Sequence, residues 1–261
     1  MAKRYEGQVV LITGGATGIG ACICKEFAKE GAMVICNHSH SERSKKEYPI
    51  LEKEIKKEKG LIEDYEADVS DYDEVCQMIK DIKAKYGHLD VLVCNHMRAV
   101  AKKFDQITKD DVLKMVNSDI IGTFYCAQQA IIQMVEQQFG SVVFVSSNAS
   151  VNGGAGSVLY PMCKGAVESL MRGFNSEVSD KNVRVNTVRP GWVATELNMH
   201  RYSPEDYQAY LNCLPMKRAG KPEEIAKCVL FLADGNNIGY VNGAILDADG
   251  ARTYTLRPKY K

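Results

Sequence analysis

Tyr160 and Lys164 lie four positions apart in the stretch YPMCK, and this spacing could support proton transfer. Residues at positions i and i+4 of a helix are neighbours on one face, so Lys164 can hold its charge beside the phenol. A free tyrosine has a pKa of about 10, and a nearby cation favours the ionised form. Pro161 is harmless in a first helical turn, which predicts that the helix begins close to Tyr160. On its own such a pair is usually a surface contact, so its meaning depends on what surrounds it.

A glycine-rich turn, VVLITGGATGIG, ends a strand candidate near the amino terminus and opens a helix. Gly14, Gly18 and Gly20 permit a tight turn and let a pyrophosphate approach the backbone. The helix N-terminus then offers N–H groups and the positive end of its dipole to the phosphates. The spacing is TGxxxGxG, which differs from the GxGxxG of the common dinucleotide fingerprint. An ordinary strand-to-helix turn is the alternative, but the strand before and the helix after favour nucleotide binding.

Composition argues against several classes of protein. The 261 residues are 45% hydrophobic and 25% charged, which is typical of a soluble globular domain. Lys plus Arg and Asp plus Glu are 33 each, so the chain lacks the basic surplus that favours nucleic acid or an anionic membrane.

We expect no signal peptide, and no run approaches the roughly 18 apolar residues of a membrane span. The nine cysteines include no CxxC pair, which indicates free thiols in a reducing compartment and predicts a cytoplasmic protein.

Short β-rich runs alternate with longer amphipathic runs along the whole chain. The seven strand candidates span residues 9–13, 32–37, 61–67, 89–95, 140–147, 183–188 and 243–249. Several are almost wholly apolar, which is typical of strands buried on both faces of a parallel sheet. This alternation predicts right-handed βαβ units and a doubly wound α/β fold of three layers. The chain shows no linker or repeat, so we predict a single domain over residues 1–261, in which the charged run 41–60 forms a solvated helix interrupted near Pro49.

The glycine spacing and the Tyr-x-x-x-Lys pair together resemble the short-chain dehydrogenase/reductase family, from about Glu6 to Ala251. Further motifs of that family occur in order: ADVSD with Asp68, VCNHM (93–97), VSSNAS, RPGWVAT (189–195) and DADGA (247–251). Each motif is weak alone, but together they make the resemblance specific. It implies a Rossmann-like fold and an NAD(P)-dependent oxidoreductase that interconverts a secondary alcohol and a ketone by hydride transfer.

The resemblance also implies a catalytic group. The family's serine lies thirteen positions before its tyrosine, which is Ser147 rather than Ser146 in this chain. Tyr160 would exchange the proton with the substrate oxygen, Ser147 would hydrogen-bond that oxygen, and Lys164 would tune Tyr160 and hold the nicotinamide ribose. The cofactor carries the hydride, and the protein supplies orientation and electrostatics. With Ser147 in register, we interpret Tyr160 and Lys164 as a working pair.

The same resemblance assigns the residues that would line the two ligand sites. The dinucleotide would contact Gly14, Ala16, Thr17, Gly18, Ile19, Gly20, Asn37, His38, Ser39, Asp68, Val69, Asn95, Tyr160, Lys164, Pro190, Gly191, Val193 and Thr195. The substrate would contact His96, Met97, Asn148, Trp192 and Met199.

One departure from the family pattern concerns the helix that leads into the serine strand. The family usually has an asparagine three residues before a glycine there, and in this chain Asp119 stands three before Gly122. Asn117 lies two residues earlier and, at about 100° per residue, would point away. Asp119 could still hold a relay water or pair with Lys164, so we include it in the catalytic group.

A second departure lies in the motif VCNHM. His96 and Met97 replace the usual Ala-Gly pair and should reshape the floor of the active site. Packing or substrate contact is a better reading of His96 than a second acid or base. His38-x-His40 offers two metal ligands without a third, so we predict no metal site.

The end of the second strand candidate bears on the choice of cofactor. An acidic residue about 20 positions past the glycines would hold a ribose 2′-hydroxyl and favour NAD. Asn37 stands there instead. Ser39 and Arg43 could contact a 2′-phosphate, and Lys45 and Lys46 add positive potential. We therefore predict NADP, with NAD as the alternative.

The segment after Thr195 resembles the family's mobile lid over the substrate, about residues 195–214. Ser203 followed by Pro204 predicts a helix start within it. The lid offers Leu197, Met199, Tyr202, Tyr207, Tyr210 and Leu211, with His200 and Arg201 beside them, and Trp192 precedes it. Such a lid suits a bulky, mostly apolar substrate that could carry an acidic tail, although these residues could equally pack the lid helix. A hydroxysteroid or bile acid fits, and so does a 3-oxoacyl or polyketide-type ketone.

Other functions stay open at the level of sequence. The same fold could serve as a non-catalytic dinucleotide sensor, because fold does not fix function, although intact Ser147, Tyr160 and Lys164 argue against it. Epimerisation or dehydration would need a substrate domain, for which a chain of this length has little room. The predicted partner is a small-molecule alcohol or ketone, with neither nucleic acid nor membrane, and the resemblance implies a homotetramer or homodimer packed through helices.

Overall fold

A parallel β-sheet forms the centre of the molecule. The computed structural model describes residues 3–98, 100, 102–153, 157–199 and 203–254. The strands are β1 Val9–Thr13, β2 Met33–His38, β3 Leu61–Glu66, β4 Val91–Cys94, β5 Gly140–Val145, β6 Val183–Pro190 and β7 Ile245–Ala248. Every pairing is parallel, and the order across the sheet is β3-β2-β1-β4-β5-β6-β7. The order reverses between β1 and β4, which is where open α/β sheets bind ligands beyond the carboxyl ends of their strands.

All seven strand candidates form strands, so the predicted doubly wound α/β fold is confirmed. The strands β1, β4 and β5 are buried at every position, as expected of strands covered on both faces. Predicted and observed strand ends differ by at most two residues. For example, the candidate 140–147 ends at Val145, because the chain turns at Ser146 and Ser147 towards a short helix.

Helices cover both faces of the sheet and complete the three layers. They are α1 Gly18–Lys29, α2 Glu42–Lys57, α3 Tyr72–Tyr86, α4 Lys109–Val116, α5 Thr123–Glu136, α6 Ala149–Asn152, α7 Leu159–Val178, α8 Glu196–Met199, α9 Pro204–Cys213, α10 Pro222–Ala233 and α11 Gly235–Ile238. A π-helical turn, Asn117–Gly122, joins α4 to α5. Short 3₁₀ turns occupy Phe104–Gln106, Ser179–Lys181 and Arg252–Tyr254.

Two large apolar clusters, one on each face of the sheet, form most of the core, and a small third cluster contains Met115, Leu159 and Cys163. Alternation along β1 divides its side chains, with Val10 and Ile12 in one cluster and Val9 and Leu11 in the other. Helices α1, α2 and α10 close the first cluster, and α3, α5 and α7 close the second. The sheet is thereby held rigid from both sides, which fixes the positions of the loops at the carboxyl ends of its strands.

The prediction of an interruption near Pro49 was wrong, because α2 is continuous from Glu42 to Lys57. Proline removes one N–H from the ladder and leaves the carbonyl four residues earlier without its partner. Pro49 lies on the exposed side of α2, so that carbonyl can be hydrated. Tyr48, Leu51 and Ile55 anchor the opposite side in the core, and this burial maintains the helix across the proline.

No helix in the parts of the chain that the structure describes is long and apolar enough to cross a membrane.

Candidate active site

The loops at the carboxyl ends of the strands enclose a cavity of about 550 Å³. Its walls come from the turn after β1, the end of β2, the loops after β3 and β4, the turn after β5, the start of α7 and the segment after β6. All the residues predicted to contact a dinucleotide line this cavity except Gly20. Among the predicted catalytic residues, Ser147, Tyr160 and Lys164 line it and Asp119 lies outside the lining. The structure therefore brings residues from widely separated parts of the sequence to one site.

The turn after β1 has the backbone of a phosphate-binding turn. Gly14 and Gly18 have φ of +63° and +56°, values in the left-handed region that glycine adopts without strain. A Cβ on Gly14 would lie 2.7 Å from the Cα of His96, so the turn and the loop after β4 approach too closely for a side chain. Helix α1 begins at Gly18 and directs its first N–H groups towards the cavity edge. These features fit the pyrophosphate of a dinucleotide.

Gly20 serves packing rather than ligand contact. A Cβ there would lie 2.1 Å from the carbonyl oxygen of Gly14 and 2.6 Å from Nδ2 of Asn95. The Nδ2 group of Asn95 donates to the carbonyls of Thr13 (3.3 Å) and Gly14 (3.0 Å). Because Gly20 has no side chain, α1 can pack against the turn, and Asn95 can hydrogen-bond to the carbonyls of the turn.

Tyr160 and Lys164 share one face of α7, which begins at Leu159 as the position of Pro161 predicts. Nζ of Lys164 lies 5.8 Å from the centroid of the Tyr160 ring. This ammonium group is buried, with 3% of Lys164 exposed, and it donates to the carbonyl of Val145 at 2.9 Å. The backbone N–H of Tyr160 donates to Oγ of Ser157 at 3.3 Å. A fixed positive charge therefore stands beside the phenol, inside the cavity.

The two serines after β5 have different partners. Oγ of Ser147 accepts from the backbone N–H of Ala149 at 3.2 Å, and an accepting hydroxyl can still donate its own hydrogen to a substrate oxygen. Oγ of Ser146 instead donates to the carboxylate of Glu168 at 2.8 Å. The hydroxyl hydrogen of Ser147 is therefore free of the Glu168 carboxylate that binds Ser146, and contact of Ser147 with substrate stays a prediction.

Asp119 lies on the π-helical turn, which corrects the assumption of a regular α-helix at this place. In this wider turn, the carbonyls of Ser118 and Asp119 accept from His96 Nε2 (3.2 Å) and Thr123 Oγ1 (2.8 Å). The prediction that Asn117 points away from Asp119 still holds, since Asp119 is 1% exposed and Asn117 is exposed. Oδ1 of Asp119 accepts from the N–H of Arg98 at 2.7 Å.

The second oxygen of the Asp119 carboxyl is buried without a hydrogen-bond partner among the described residues. Burial raises the pKa of Asp119 above its ordinary value, although the positive charge of Lys164 acts in the opposite direction. Because the pKa is higher in the folded protein than in the unfolded chain, the ionised carboxylate lowers the free energy of unfolding above the raised pKa. This penalty disappears as the pH falls below the ordinary aspartate value.

We predict that Asp119→Asn keeps measurable turnover and moves the acid limb of the pH profile of kcat to lower pH. The amide removes an ionisation whose pKa is raised, while its oxygen can still accept from Arg98. The variant should also gain stability relative to the parent as the pH rises above the ordinary aspartate pKa. Turnover across pH and thermal unfolding at several pH values are the measurements. Complete loss of turnover in a folded variant would contradict a relay role that an amide can fill.

His96 is held at both ring nitrogens. Nδ1 lies 2.6 Å from Oγ1 of Thr13, and Nε2 lies 3.2 Å from the carbonyl of Ser118 and 3.1 Å from Oγ1 of Thr123. Burial, and then the charge of Lys164, lower the pKa of His96 to about 4, so the ring is neutral near pH 7. These contacts favour a packing role in the floor of the cavity over a second acid or base.

At the other end of the cavity, the last residues of β2 and the residues that follow it form two groups. Nδ2 of Asn37 donates to the carbonyls of Tyr65 and Ala67, and Nε2 of His38 lies 2.7 Å from the Asp64 carboxylate. These two side chains line the cavity and also hold β2 to β3. Four hydroxyl or guanidinium side chains line the cavity mouth: Ser39, Ser41, Arg43 and Ser44.

The charged side chains around this mouth are paired. Arg43 Nη2 lies 3.1 Å from the carboxylate of Glu196 on α8, and Lys45 lies 3.0 Å from Glu66. His40 lies between Glu66 (2.8 Å) and Glu74 (2.9 Å), whose hydrogen bonds raise its pKa. Arg43 is thus the cation that lines the cavity here, while Lys45 and His40 bind acidic side chains at its edge.

Asp68 lines the cavity beyond this mouth. Burial opposes ionisation of Asp68, but hydrogen bonds from Oγ (2.7 Å) and N–H (2.9 Å) of Ser70 hold its pKa below the ordinary value. The next residue, Val69, lies against Gly122, where a Cβ would be 2.9 Å from the Val69 carbonyl. Gly122 therefore allows the π-helical turn to support the loop that carries Asp68.

The opposite end of the cavity is aromatic. The rings of Trp192 and Tyr210 lie 4.8 Å apart, and the guanidinium of Arg252 lies 5.6 Å from the Tyr210 ring. All three line the cavity with Met97, Asn148 and Leu197. Met199 is half exposed and is not among the lining residues that the structure describes. The lid residues His200, Arg201 and Tyr202 lie outside the described residues.

The described residues of the predicted lid segment form two short helices, α8 and α9. Oγ of Ser203 accepts from the N–H of Asp206 at 3.1 Å, and Pro204 is the first helical residue, as the sequence predicts. Tyr210 on α9 faces the cavity. Part of the predicted lid therefore forms a wall of the site.

Sequence reasoning missed a group of polar residues behind the site. The residues are Thr13, Ser146, Ser150, Glu168 and Arg189. One signal was present, because Glu168 follows Lys164 by four residues and Tyr160 by eight, which places all three on one helix face. The partners of Glu168 lie on other elements, and no local pattern indicates them.

Comparison with known proteins agrees with this fold. A family model described as enoyl-(acyl carrier protein) reductase matches residues 14–252. The 3-oxoacyl-(acyl-carrier-protein) reductase of Thermotoga maritima is 33% identical over 95% of this chain and 98% of its own length. The 3alpha-hydroxysteroid dehydrogenase of Mediterraneibacter gnavus is 32% identical over 96% of this chain and 99% of its own. The solved structure of ElxO with NADP bound superposes with a TM-score of 0.85 at 31% identity, covering 94% of this chain and 98% of that one.

The chain belongs to the short-chain dehydrogenase/reductase family. It is an NAD(P)-dependent oxidoreductase of the kind that acts on CH–OH and keto groups.

Proposed function

We propose that the protein uses NADP(H) to interconvert a secondary alcohol and a ketone on a bulky, mostly apolar substrate. The observation that carries the proposal is a single cavity that joins three features. A phosphate-binding turn and the Arg43 mouth lie at one side, Tyr160 with Lys164 lies in the middle, and the Trp192–Tyr210 pair lies at the other end.

The chain's own residues account for proton transfer. The bound dinucleotide supplies the hydride chemistry. The Lys164 ammonium lies 5.8 Å from the Tyr160 ring, close enough to offset negative charge that develops on the phenol oxygen while Tyr160 gives a proton to the substrate oxygen in reduction or accepts it in oxidation. Ser147 donates a hydrogen bond to the same oxygen as negative charge develops there. Burial of Lys164 and Asp119 keeps these charges away from bulk water, where they would be screened.

The proposal of NADP rests on Arg43 and the serines at the cavity mouth. An arginine and hydroxyl groups suit a phosphate dianion, and no acidic side chain stands at the end of β2 to hold a free 2′-hydroxyl. The structural neighbour ElxO has been solved with NADP bound. NAD is the alternative, because the charge pair between Arg43 and Glu196 has to open before the guanidinium can reach a phosphate.

We predict that Arg43→Leu raises the KM for NADPH about 10- to 100-fold, the worth of one charge-assisted contact, and leaves the KM for NADH nearly unchanged. Steady-state kinetics with both coenzymes measure this. Arg218→Leu is the matched control, since Arg218 forms a similarly exposed pair with Glu224 and does not line the cavity. Equal effects of Arg43→Leu on the two coenzymes would exclude Arg43 as the phosphate contact.

For the substrate, a hydroxysteroid or bile acid is our first proposal. The aromatic end of the cavity offers flat apolar walls, and Arg252 beside Tyr210 could attract an acidic tail. A 3-oxoacyl or polyketide-type ketone is the second candidate, in keeping with the relatives that act on 3-oxoacyl-(acyl-carrier-protein) and acetoacetyl-CoA. Both classes fit a mechanism in which only the carbonyl or hydroxyl carbon reacts.

A panel of ketones and secondary alcohols, followed by NADPH absorbance, tests the proposal. It should include 3-oxo and 3α-hydroxy steroids, bile acids and acetoacetyl-CoA, with Tyr160→Phe as the control. Turnover of steroids above acyl thioesters supports the first candidate, and the reverse order supports the second. Binding of NADPH without turnover on any member would favour a dinucleotide sensor.

We further propose a cytoplasmic homodimer or homotetramer. All nine cysteines, each of them in the described part of the chain, are free thiols, in keeping with a reducing compartment. Apolar side chains are exposed at Ile132 on α5, at Met162 on α7 and at Val158 just before α7, where a second copy could cover them. Sedimentation or size-exclusion chromatography with light scattering measures the oligomeric state.

A further inference from the structure

Glu168 lies one helical turn beyond Lys164 and is buried behind the site, with 4% of its surface exposed. Its Oε1 accepts from three donors: Oγ of Ser146 (2.8 Å), Oγ of Ser150 (2.5 Å) and Nε of Arg189 (3.0 Å). Its Oε2 accepts from Nη2 of Arg189 at 2.8 Å. One carboxylate thus binds side chains from the turn after β5 and from the end of β6.

Arg189 pairs with two carboxylates in this cluster. Arg189 is the bidentate partner of Glu168, and its remaining Nη1 donates to Asp247 on β7 at 2.8 Å. Burial opposes ionisation of Glu168, but the hydrogen bonds from Arg189, Ser150 and Ser146 hold its pKa below the ordinary glutamate value. The carboxylate is therefore ionised at neutral pH, within a cluster whose donors are directed at it.

The elements that Glu168 joins are the two segments on either side of the reaction centre. Ser146 and Ser150 flank Ser147, and Oγ of Ser150 lies 2.7 Å from the Ser147 carbonyl, which shares the single hydroxyl hydrogen with Glu168. Arg189 directly precedes Pro190, whose carbonyl accepts from the N–H of Asn148 at 2.9 Å. Movement of the Glu168 carboxylate would therefore shift the serine turn and the Pro190 segment together.

We propose that Glu168 is a positioning residue that sets Ser147 and the Pro190–Gly191 segment relative to Tyr160 and Lys164. The inference deepens the proposed function and rests on it. Because Tyr160, Lys164 and Glu168 follow one another on a single helix face, α7 carries both the proton-transfer pair and the anchor for its surroundings.

An ionised carboxylate suits this place better than an amide of the same shape. A carboxylate only accepts hydrogen bonds, and two oxygens can receive four donors. A glutamine would lose one acceptor and turn an NH₂ group towards the donors of Arg189 or the serines. Glu168→Gln should thus loosen both segments while changing little of the packed volume.

The experiment compares Glu168→Gln with Arg184→Lys, a control on the same strand as Arg189. Arg184 is also buried and donates to the carbonyls of Leu232 and Ala233, but it lies at the amino end of β6, away from the cavity. We expect Glu168→Gln to lower kcat about 100-fold, as misplacement of reacting groups does, and to weaken NADPH binding severalfold. Arg184→Lys should lower the unfolding temperature with kcat per folded molecule unchanged.

Backbone hydrogen exchange gives a readout that needs neither turnover nor coenzyme. In Glu168→Gln, amides 146–150 and 189–193 should exchange faster than in the parent, and they should be unaffected in Arg184→Lys. If the parent binds no coenzyme or turns over no substrate, the proposed function fails, while the exchange data still decide the role of Glu168. Unchanged exchange, coenzyme affinity and kcat in a destabilised Glu168→Gln protein would overturn the proposal and leave Glu168 a structural residue.

Ser150→Ala covers the case in which Glu168→Gln does not fold. It removes one link between Glu168 and the serine turn and leaves the buried ion pair with Arg189 intact. We expect faster exchange of amides 146–150 and a severalfold lower kcat, with the dissociation constant of NADPH unchanged. Normal exchange and normal kcat in Ser150→Ala would overturn the link from Glu168 to Ser147.

Discussion

Replacing Tyr160 with phenylalanine should lower kcat about 10³-fold and leave the dissociation constant for NADPH close to that of the parent, since general acid–base catalysis typically contributes 10²–10⁴-fold. The phenol is the proton donor and acceptor that we assign to the reaction, and the ring without its hydroxyl still fills its place on α7. The fold should be unaffected, because the backbone N–H of Tyr160, rather than its side chain, bonds to Ser157. Single-turnover and steady-state kinetics, with coenzyme binding by NADPH fluorescence, measure the two quantities separately.

Tyr207→Phe provides the matched control for this variant. Tyr207 lies on α9 of the lid and is not among the residues that line the cavity, so loss of its hydroxyl should leave kcat unchanged. A Tyr160→Phe enzyme with more than a tenth of the parent's kcat would show that another group transfers the proton. His96 would then be the next candidate for proton transfer, although its lowered pKa and the hydrogen bonds at both ring nitrogens oppose that role.

Gly20→Ala should abolish high-affinity coenzyme binding and lower the free energy of unfolding by about 1–3 kcal/mol or more, the usual range for an overpacked site. The added Cβ would lie 2.1 Å from the Gly14 carbonyl oxygen, which is backbone and cannot rotate away. Relief of this clash requires α1 to move from the turn that would hold the pyrophosphate. Denaturant unfolding and NADPH titration give the two measurements.

Gly173→Ala is the control for the glycine variant. Gly173 lies on α7, and a Cβ there would meet nothing within 4 Å. Alanine in a helix interior is more favourable than glycine by roughly 0.5–1 kcal/mol, so this variant should be slightly more stable and bind NADPH normally. If Gly20→Ala bound coenzyme as tightly as Gly173→Ala, the close approach of α1 and the turn would not matter for binding.

The elements of the fold were predictable because their signals are local. The runs VVLIT and VLVC are apolar at each position before the final Thr13 or Cys94, and only a strand buried on both faces uses such a run at that length. Ser203 and Pro204 specify a helix start through their own backbone and side-chain chemistry. The cavity residues followed from motif order, since the carboxyl ends of parallel strands meet at one edge.

What the sequence could not supply depends on contacts between distant residues. Proline lacks a backbone N–H, so Pro49 alone predicts a break in the helix. Burial of Leu51 and Ile55 outweighs the lost hydrogen bond, and α2 is continuous. The pair of Arg43 and Glu196 joins positions 153 residues apart, and nothing near either residue indicates the other. The same holds for Glu168 and Arg189, whose pairing requires α7 to lie against β6.

In evolutionary terms, the π-helical turn Asn117–Gly122 behaves as an insertion of one residue that a helix has absorbed without forming a loop. Deleting one residue there would restore a regular hydrogen-bond ladder and leave the ends of α4 and α5 close to their present places. It would also rotate Asp119 out of the buried position that it now holds. The extra residue thus places the Asp119 carboxyl beside the N–H of Arg98, a contact that a regular helix of the same ends would lack.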